Sequence, residues 1–120
     1  MSNLYGFKYT VKGYGGYIEY IVLSEFDGRL YIDKYYYGTK HHFDITDKID
    51  TFCHEIADLD IDSWNLNDYQ SSILWFPPAD DDWTFQINTD VLSVACRGQG
   101  EFPSNWKEFW EAFNRMCNNE

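Results

Sequence analysis

The sequence predicts an α+β fold: an antiparallel sheet of about six strands with two packed amphipathic helices, in a single domain over residues 1–120. Three observations predict it. In the first third of the chain, aromatic and β-branched residues alternate with polar ones at the period of two of half-buried strands. A period of 3.6 replaces this twice, around residues 49–56 and 106–117. The chain has 120 residues, 44% hydrophobic and 20% aromatic. A single domain of that size buries about 60–70% of its unfolded surface, so disordered, collagen-like and low-complexity readings are excluded.

The elements follow in order. From Leu4 to Val11, Tyr5, Phe7, Tyr9 and Val11 alternate with Gly6, Lys8 and Thr10. Gly13-Tyr14-Gly15-Gly16 reads as a loop, and Tyr17 to Leu23 has the β-branched and aromatic density of a second strand. Asp27-Gly28 favours the positive φ of a tight hairpin, and Arg29 to Tyr37 returns from it. The result is a three-stranded meander rich in exposed or half-exposed tyrosines. Ile49, Phe52, Cys53 and Ile56 then stand at i, i+3, i+4 and i+7, one apolar helix face. Thr46 is the expected N-cap, and Asp47 suits the positive end of the helix dipole. Asp60-Ile61-Asp62-Ser63-Trp64 ends this helix in an acidic connection.

A second β region is expected from Ile73 to Phe76, stopped by Pro77-Pro78, with Asp80-Asp81-Asp82 as a loop. Trp83, Phe85 and Ile87 alternate with Thr84, Gln86 and Asn88, and the chain turns at Asn88-Thr89-Asp90. Val91 to Arg97 returns, and Gly98-Gln99-Gly100 is expected to break that strand. Trp106, Phe109, Trp110, Phe113, Met116 and Cys117 recur at helical spacing. A helix this aromatic must lie across a sheet. Ser104 or Asn105 is its expected N-cap, and Asn105 with Glu108 has capping-box spacing.

Charge narrows the function. Nine Lys and Arg face 20 Asp and Glu, a net −11. Such a surface repels nucleic acid and anionic membranes and favours a basic partner. The acids are unevenly placed: residues 1–42 carry +1, residues 43–90 carry −11 and residues 91–120 carry −1. No apolar run approaches the roughly 18 residues of a membrane span, and no basic-then-apolar leader follows Met1. Three cysteines without C-x-x-C spacing argue against a disulfide framework or a zinc ribbon. A cytoplasmic location is expected.

No arrangement of residues calls for catalysis, a metal or a cofactor. Cys53 and His54 are neighbours on a helix, so their side chains diverge by about 100° and cannot form a nucleophile–base pair. His41-His42 lacks the i, i+4 spacing of a metal pair. Asp80-Asp81-Asp82 lacks the alternating acids, the glycine and the closing Glu of a calcium loop. The glycine-rich Gly13 to Gly16 joins two strands instead of opening a helix, so it has little claim to phosphate. The expectation is therefore a protein that is not an enzyme.

Over most of its length the chain has a familiar layout. It runs Trp64 to Tyr69, then Asp82-Trp83-Thr84-Phe85-Gln86-Ile87, then Gly100-Glu101-Phe102-Pro103-Ser104-Asn105-Trp106-Lys107-Glu108-Phe109 and a terminal helix. This resembles small immunity-type proteins of bacterial polymorphic toxin systems. Their loose pattern is W-x-x-x-Y, D-G-x-x-W-x-L-x-I and G-x-N-x-Y-P-x-x-W-x-x-F. The chain departs from it: four residues separate Trp64 from Tyr69, Asp81-Asp82 stand directly before Trp83 in place of the usual Asp-Gly, and Glu101 and Phe102 stand in place of the usual Asn and Tyr without the residue between.

The resemblance implies an immunity protein that neutralises a cognate toxin by stoichiometric occlusion. Asp58, Asp60, Asp62, Asp68, Asp80, Asp81 and Asp82 are the expected partner-binding acids, steering a basic toxin face such as that of a nuclease. Tyr36, within Tyr35-Tyr36-Tyr37, is the expected aromatic anchor. The alternative is a phage anti-defence inhibitor acting as an acidic nucleic-acid mimic, with Asp47, Asp50, Asp58, Asp60 and Asp62 beginning a row of carboxylates. A third class is an accessory module that stacks exposed aromatics on sugars or peptides.

Overall fold

The computed structural model describes residues 3–13, 16–36, 38–70 and 82–117, without the side chains of residues 16–18 and 70. Seven strands form one sheet: β1 (Leu4–Gly13), β2 (Gly16–Phe26), β3 (Arg29–Tyr36), β4 (Thr39–Asp44), β5 (Asp68–Gln70), β6 (Asp82–Thr89) and β7 (Ser93–Gln99). Their order is β4-β3-β2-β1-β6-β7-β5. All pairings are antiparallel except β5 with β7. The helices are α1 (Ile49–Ala57) and α2 (Trp106–Cys117). The expected α+β class holds, with seven strands where about six were expected.

The expected meander is present. Asp27 and Gly28 adopt φ of 54° and 78° at the β2–β3 hairpin, the positive-φ pair that matches strand twist. β1 then pairs on its other side with β6, so the N-terminal meander and the C-terminal strands share one sheet. The alternation read in β6 appears as strict burial of Trp83, Phe85 and Ile87.

Both helices cover one face of this sheet. α2 lays Phe109 and Phe113, each fully buried, on the β1 side chain Phe7, with ring centroids 6.2 and 4.8 Å away. Phe85 of β6 meets Phe109 edge-on at 5.1 Å. Phe52 of α1 meets both α2 rings edge-on, and Ile49, Phe52, Cys53 and Ile56 are all buried, as their spacing predicts. Such offset and edge-to-face pairs add about 0.5–1.5 kcal/mol each beyond the burial of their area.

Several expectations are corrected. Two strands, β4 and β5, had no signal in the periodicity: β4 is mostly exposed, and β5 has three residues. Thr46 does not cap α1. It opens a 3₁₀ turn (Thr46–Lys48), and its hydroxyl accepts the Leu30 N–H at 2.9 Å and donates to Asp44 at 2.8 Å. Asn105 does not use its side chain as a cap for α2. Its Oδ1 accepts the Trp64 indole N–H at 2.8 Å and its Nδ2 donates to the Leu59 carbonyl.

Gly98 and Gln99 do not break β7 but belong to it. A side chain at Gly98 would sit 2.5 Å from the Tyr69 carbonyl and 2.7 Å from the Trp83 ring, so glycine here lets an indole lie over the strand. The expected strand Ile73–Phe76, Asp80, Asp81 and Tyr37 lie outside the described residues.

Candidate protein-binding site

The acidic connection is a tightly held turn. α1 ends at Ala57, and a second 3₁₀ turn spans Ile61–Trp64. Between them the backbone reverses at Asp60, which takes φ 54°, a left-handed conformation that Asp adopts more readily than most residues. The Asp60 carbonyl accepts both the Ser63 N–H at 3.2 Å and the Ser63 hydroxyl at 2.8 Å. Ile61 and Trp64 are each 1% exposed and anchor the turn in the core. Asn105 ties Leu59 and Trp64 to the start of α2. Against these anchors Asp58, Asp60 and Asp62 stand exposed. Three of the expected acids thus share one turn whose backbone is fixed from inside.

The other expected residues lie elsewhere. Asp68 is in β5, directly opposite Arg97, and its carboxylate is 3.3 Å from that guanidinium. Asp82 begins β6, directly opposite Lys12 of β1. Tyr36 is half-exposed on β3. The acidic turn joins β7 through the Leu66 N–H, which donates to the Ala95 carbonyl at 2.8 Å. β3 and β7 are four strand spacings apart, or about 19 Å at the usual 4.7–4.9 Å per strand. Tyr36 and the acidic turn therefore do not form one site.

The sheet face away from the helices has no covering element among the described residues. Strand alternation places Lys8, Lys12, Arg29, Lys40 and Arg97 on it, with Asp33, Asp44, Asp68 and Asp82. Basic side chains on this face are at least as many as acidic ones, so the surplus of acid lies elsewhere on the chain. One cross-strand row runs Thr10, Tyr20, Tyr35, Lys40. The Tyr20 and Tyr35 rings meet at 5.9 Å, Lys8 lies over Tyr20, and Lys40 lies over Tyr35. A groove of about 460 Å³ crosses the same face between Lys8, Gln86, Arg97 and Leu66.

Asp33 is 6% exposed on this open face. It accepts the Ser24 hydroxyl at 2.9 Å and the His42 Nδ1–H, and the His42 ring stacks on Tyr31 at 4.3 Å. Burial pushes the Asp33 carboxyl up, but the bonds from His42 and Ser24 outweigh it and hold the group below its ordinary value. Sequence reading missed this cluster, because Ser24, Asp33 and His42 meet only through strand register.

The cysteines are poor nucleophiles. Burial pushes the Cys53 and Cys117 thiols up to about 11 and Cys96 up to about 12, so none is a thiolate at neutral pH. Among the described residues, no three His, Cys, Asp or Glu groups stand close enough to hold a metal ion, and no helix is long and apolar enough to cross a membrane. No family model, curated protein or solved structure matches the chain.

Proposed function

We propose that the protein is an immunity-type inhibitor that binds a basic toxin domain and blocks it by stoichiometric occlusion, without chemistry of its own. The observation that carries this reading is the turn at Asp58, Asp60 and Asp62. Its carboxylates are exposed while its backbone is clamped by Ile61, Trp64 and Asn105. A fixed array of like charges steers an opposite charge, and a rigid array loses little freedom on binding. The layout shared with immunity-type proteins supports the same reading. Three free thiols fit a cytoplasmic location.

The nucleic-acid mimic needs an unbroken row of carboxylates. Arg29 contacts Asp44 at 2.6 Å and Asp47 at 3.5 Å, and His54 lies 3.6 Å from Asp50. These groups interrupt the row and favour the inhibitor reading.

The test is association with a basic protein domain encoded by a gene neighbouring this one, followed by stopped flow across a salt series. Asp58→Asn, Asp60→Asn and Asp62→Asn together should slow association about tenfold or more at low salt, with the effect fading as the Debye length shrinks. Asn tolerates the left-handed φ at position 60. The control is Glu25→Gln, Glu108→Gln and Glu111→Gln. Equal effects from both triple variants would reduce the turn to a share of net charge, and no binding at all would remove the inhibitor reading.

A further inference from the structure

The two edges of the sheet differ. Among the described residues, β5 closes one edge with three residues, whereas β4 leaves six residues at the other. β4 pairs with β3 in continuous register from Thr39 to Asp44. It contains no proline or glycine. Its residues are exposed apart from Phe43, which is half-buried. β3 is the one described strand paired with it. Among the described residues nothing covers this edge, and an edge of this length in continuous register is a template for another strand.

The side chains of β4 specify which strand fits. Lys40, His42 and Asp44 point to the open face, opposite Tyr35, Asp33 and Tyr31; Thr39, His41 and Phe43 point to the helix side. A twofold axis through His42, perpendicular to the sheet, pairs β4 antiparallel with itself. Lys40 of each copy then faces Asp44 of the other, His41 faces Phe43, and His42 faces His42. A shift of one residue would turn the wrong faces together. Centring on His41 sets Lys40 opposite His42 and loses both Lys–Asp pairs. Centring on Phe43 carries Lys40 past the end of the strand.

We infer that β4 is a self-association edge, at which two copies of this chain pair antiparallel about His42 to continue one sheet across the dimer. Asp44 is prepared for this: Arg29 bonds its Oδ2 at 2.6 Å and the Thr46 N–H its Oδ1 at 3.0 Å, which fixes the carboxylate on the edge. The ring of His41 already stacks with that of Phe43 in its own strand, with centroids 6.4 Å apart, and the pairing extends that stack. About four to six backbone hydrogen bonds would join residues 40–44 of the two copies. β4 carries one Lys and one Asp, so the edges meet as neutral strips of a chain of net charge −11. The acidic turns, which join β7 towards the other edge, stay apart. The inference stands apart from the inhibitor reading, because a monomer could still block a toxin.

The experiment is sedimentation velocity of the whole chain from about 10 to 500 μM, with cysteine cross-linking to read the register. The wild type should shift from monomer to dimer across that range. Lys40→Glu places two like-charge pairs across the axis and should weaken the dimer about tenfold or more. His42→Cys should cross-link two copies under mild oxidation, because directly opposed positions fall within disulfide reach, whereas His41→Cys should not. Far-UV circular dichroism checks that each variant folds. If His42→Cys does not fold, the Lys40→Glu comparison decides. A monomer at every concentration overturns the inference. So does a dimer that Lys40→Glu leaves intact, or one that cross-links at 41 and not at 42.

Discussion

The same strands build both faces of the sheet, yet the two faces are held by different physics. On the helix side, Phe7, Phe85, Phe109 and Phe113 touch in a continuous array of rings. On the open side, Asp33 meets His42, Asp68 meets Arg97, and Lys40 lies over Tyr35. The covered face is stabilised by area removed from water and by close packing. The open face remains in contact with water and gains little from each exposed pair. Removing a ring from the first should therefore cost far more than removing a charge from the second.

The sharpest way to break this contrast is Phe109→Ala. Phe109 is fully buried among Phe7, Trp64 and Phe85, and urea melts should show a loss of about 3–5 kcal/mol. Trp110 is partly buried, so Trp110→Ala should cost less than Phe109→Ala; the reverse order would mean that α2 is seated differently. Next comes Gly98→Ala. Its new methyl would press on the Tyr69 carbonyl and the Trp83 indole, with an expected loss of about 1–3 kcal/mol by the same melts.

Asp33 is the exception among the described charged groups of the open face, because it is buried there. Asp33→Ala removes its bonds with Ser24 and His42 and should cost about 1–2 kcal/mol. The sign of its pH dependence follows from the lowered carboxyl. Its contribution is present above the ordinary value of 3.8 and is lost as pH falls through the depressed folded value. Acid titration of stability should therefore be shallower in Asp33→Asn than in the wild type. A smaller effect is expected at the thiols: Cys53, Cys96 and Cys117 should react with a thiol reagent at pH 8 only as fast as the protein opens, since all three are buried and their pKa values are raised. The smallest is Asp58→Asn, Asp60→Asn and Asp62→Asn together, which should leave the urea midpoint unchanged while slowing association with a basic partner.

Elements whose signal is local and long are legible from residue order alone. The period of two marked most of β1 and β6, β-branched and aromatic density marked β2, turn residues led into β3 and β7, and the period of 3.6 marked the apolar faces of α1 and α2. Asp27-Gly28 marked the hairpin, because positive φ suits those residues in any context. The acidic turn was legible as a run of Asp58, Asp60 and Asp62. Features that depend on distant neighbours were set by the assembled sheet. β4 and β5 exist because β3 and β7 offer backbone partners, which their own residues do not announce. Gly98 stays in a strand because the Trp83 ring needs the space, and Asn105 was drawn from a capping role to Trp64 and Leu59. Register placed Asp68 beside Arg97, Asp82 opposite Lys12 and Tyr36 far from the turn, dividing a group of residues that the sequence had joined. A period is written in consecutive residues, but the sharing of a face is set by strand pairing over tens of residues of separation.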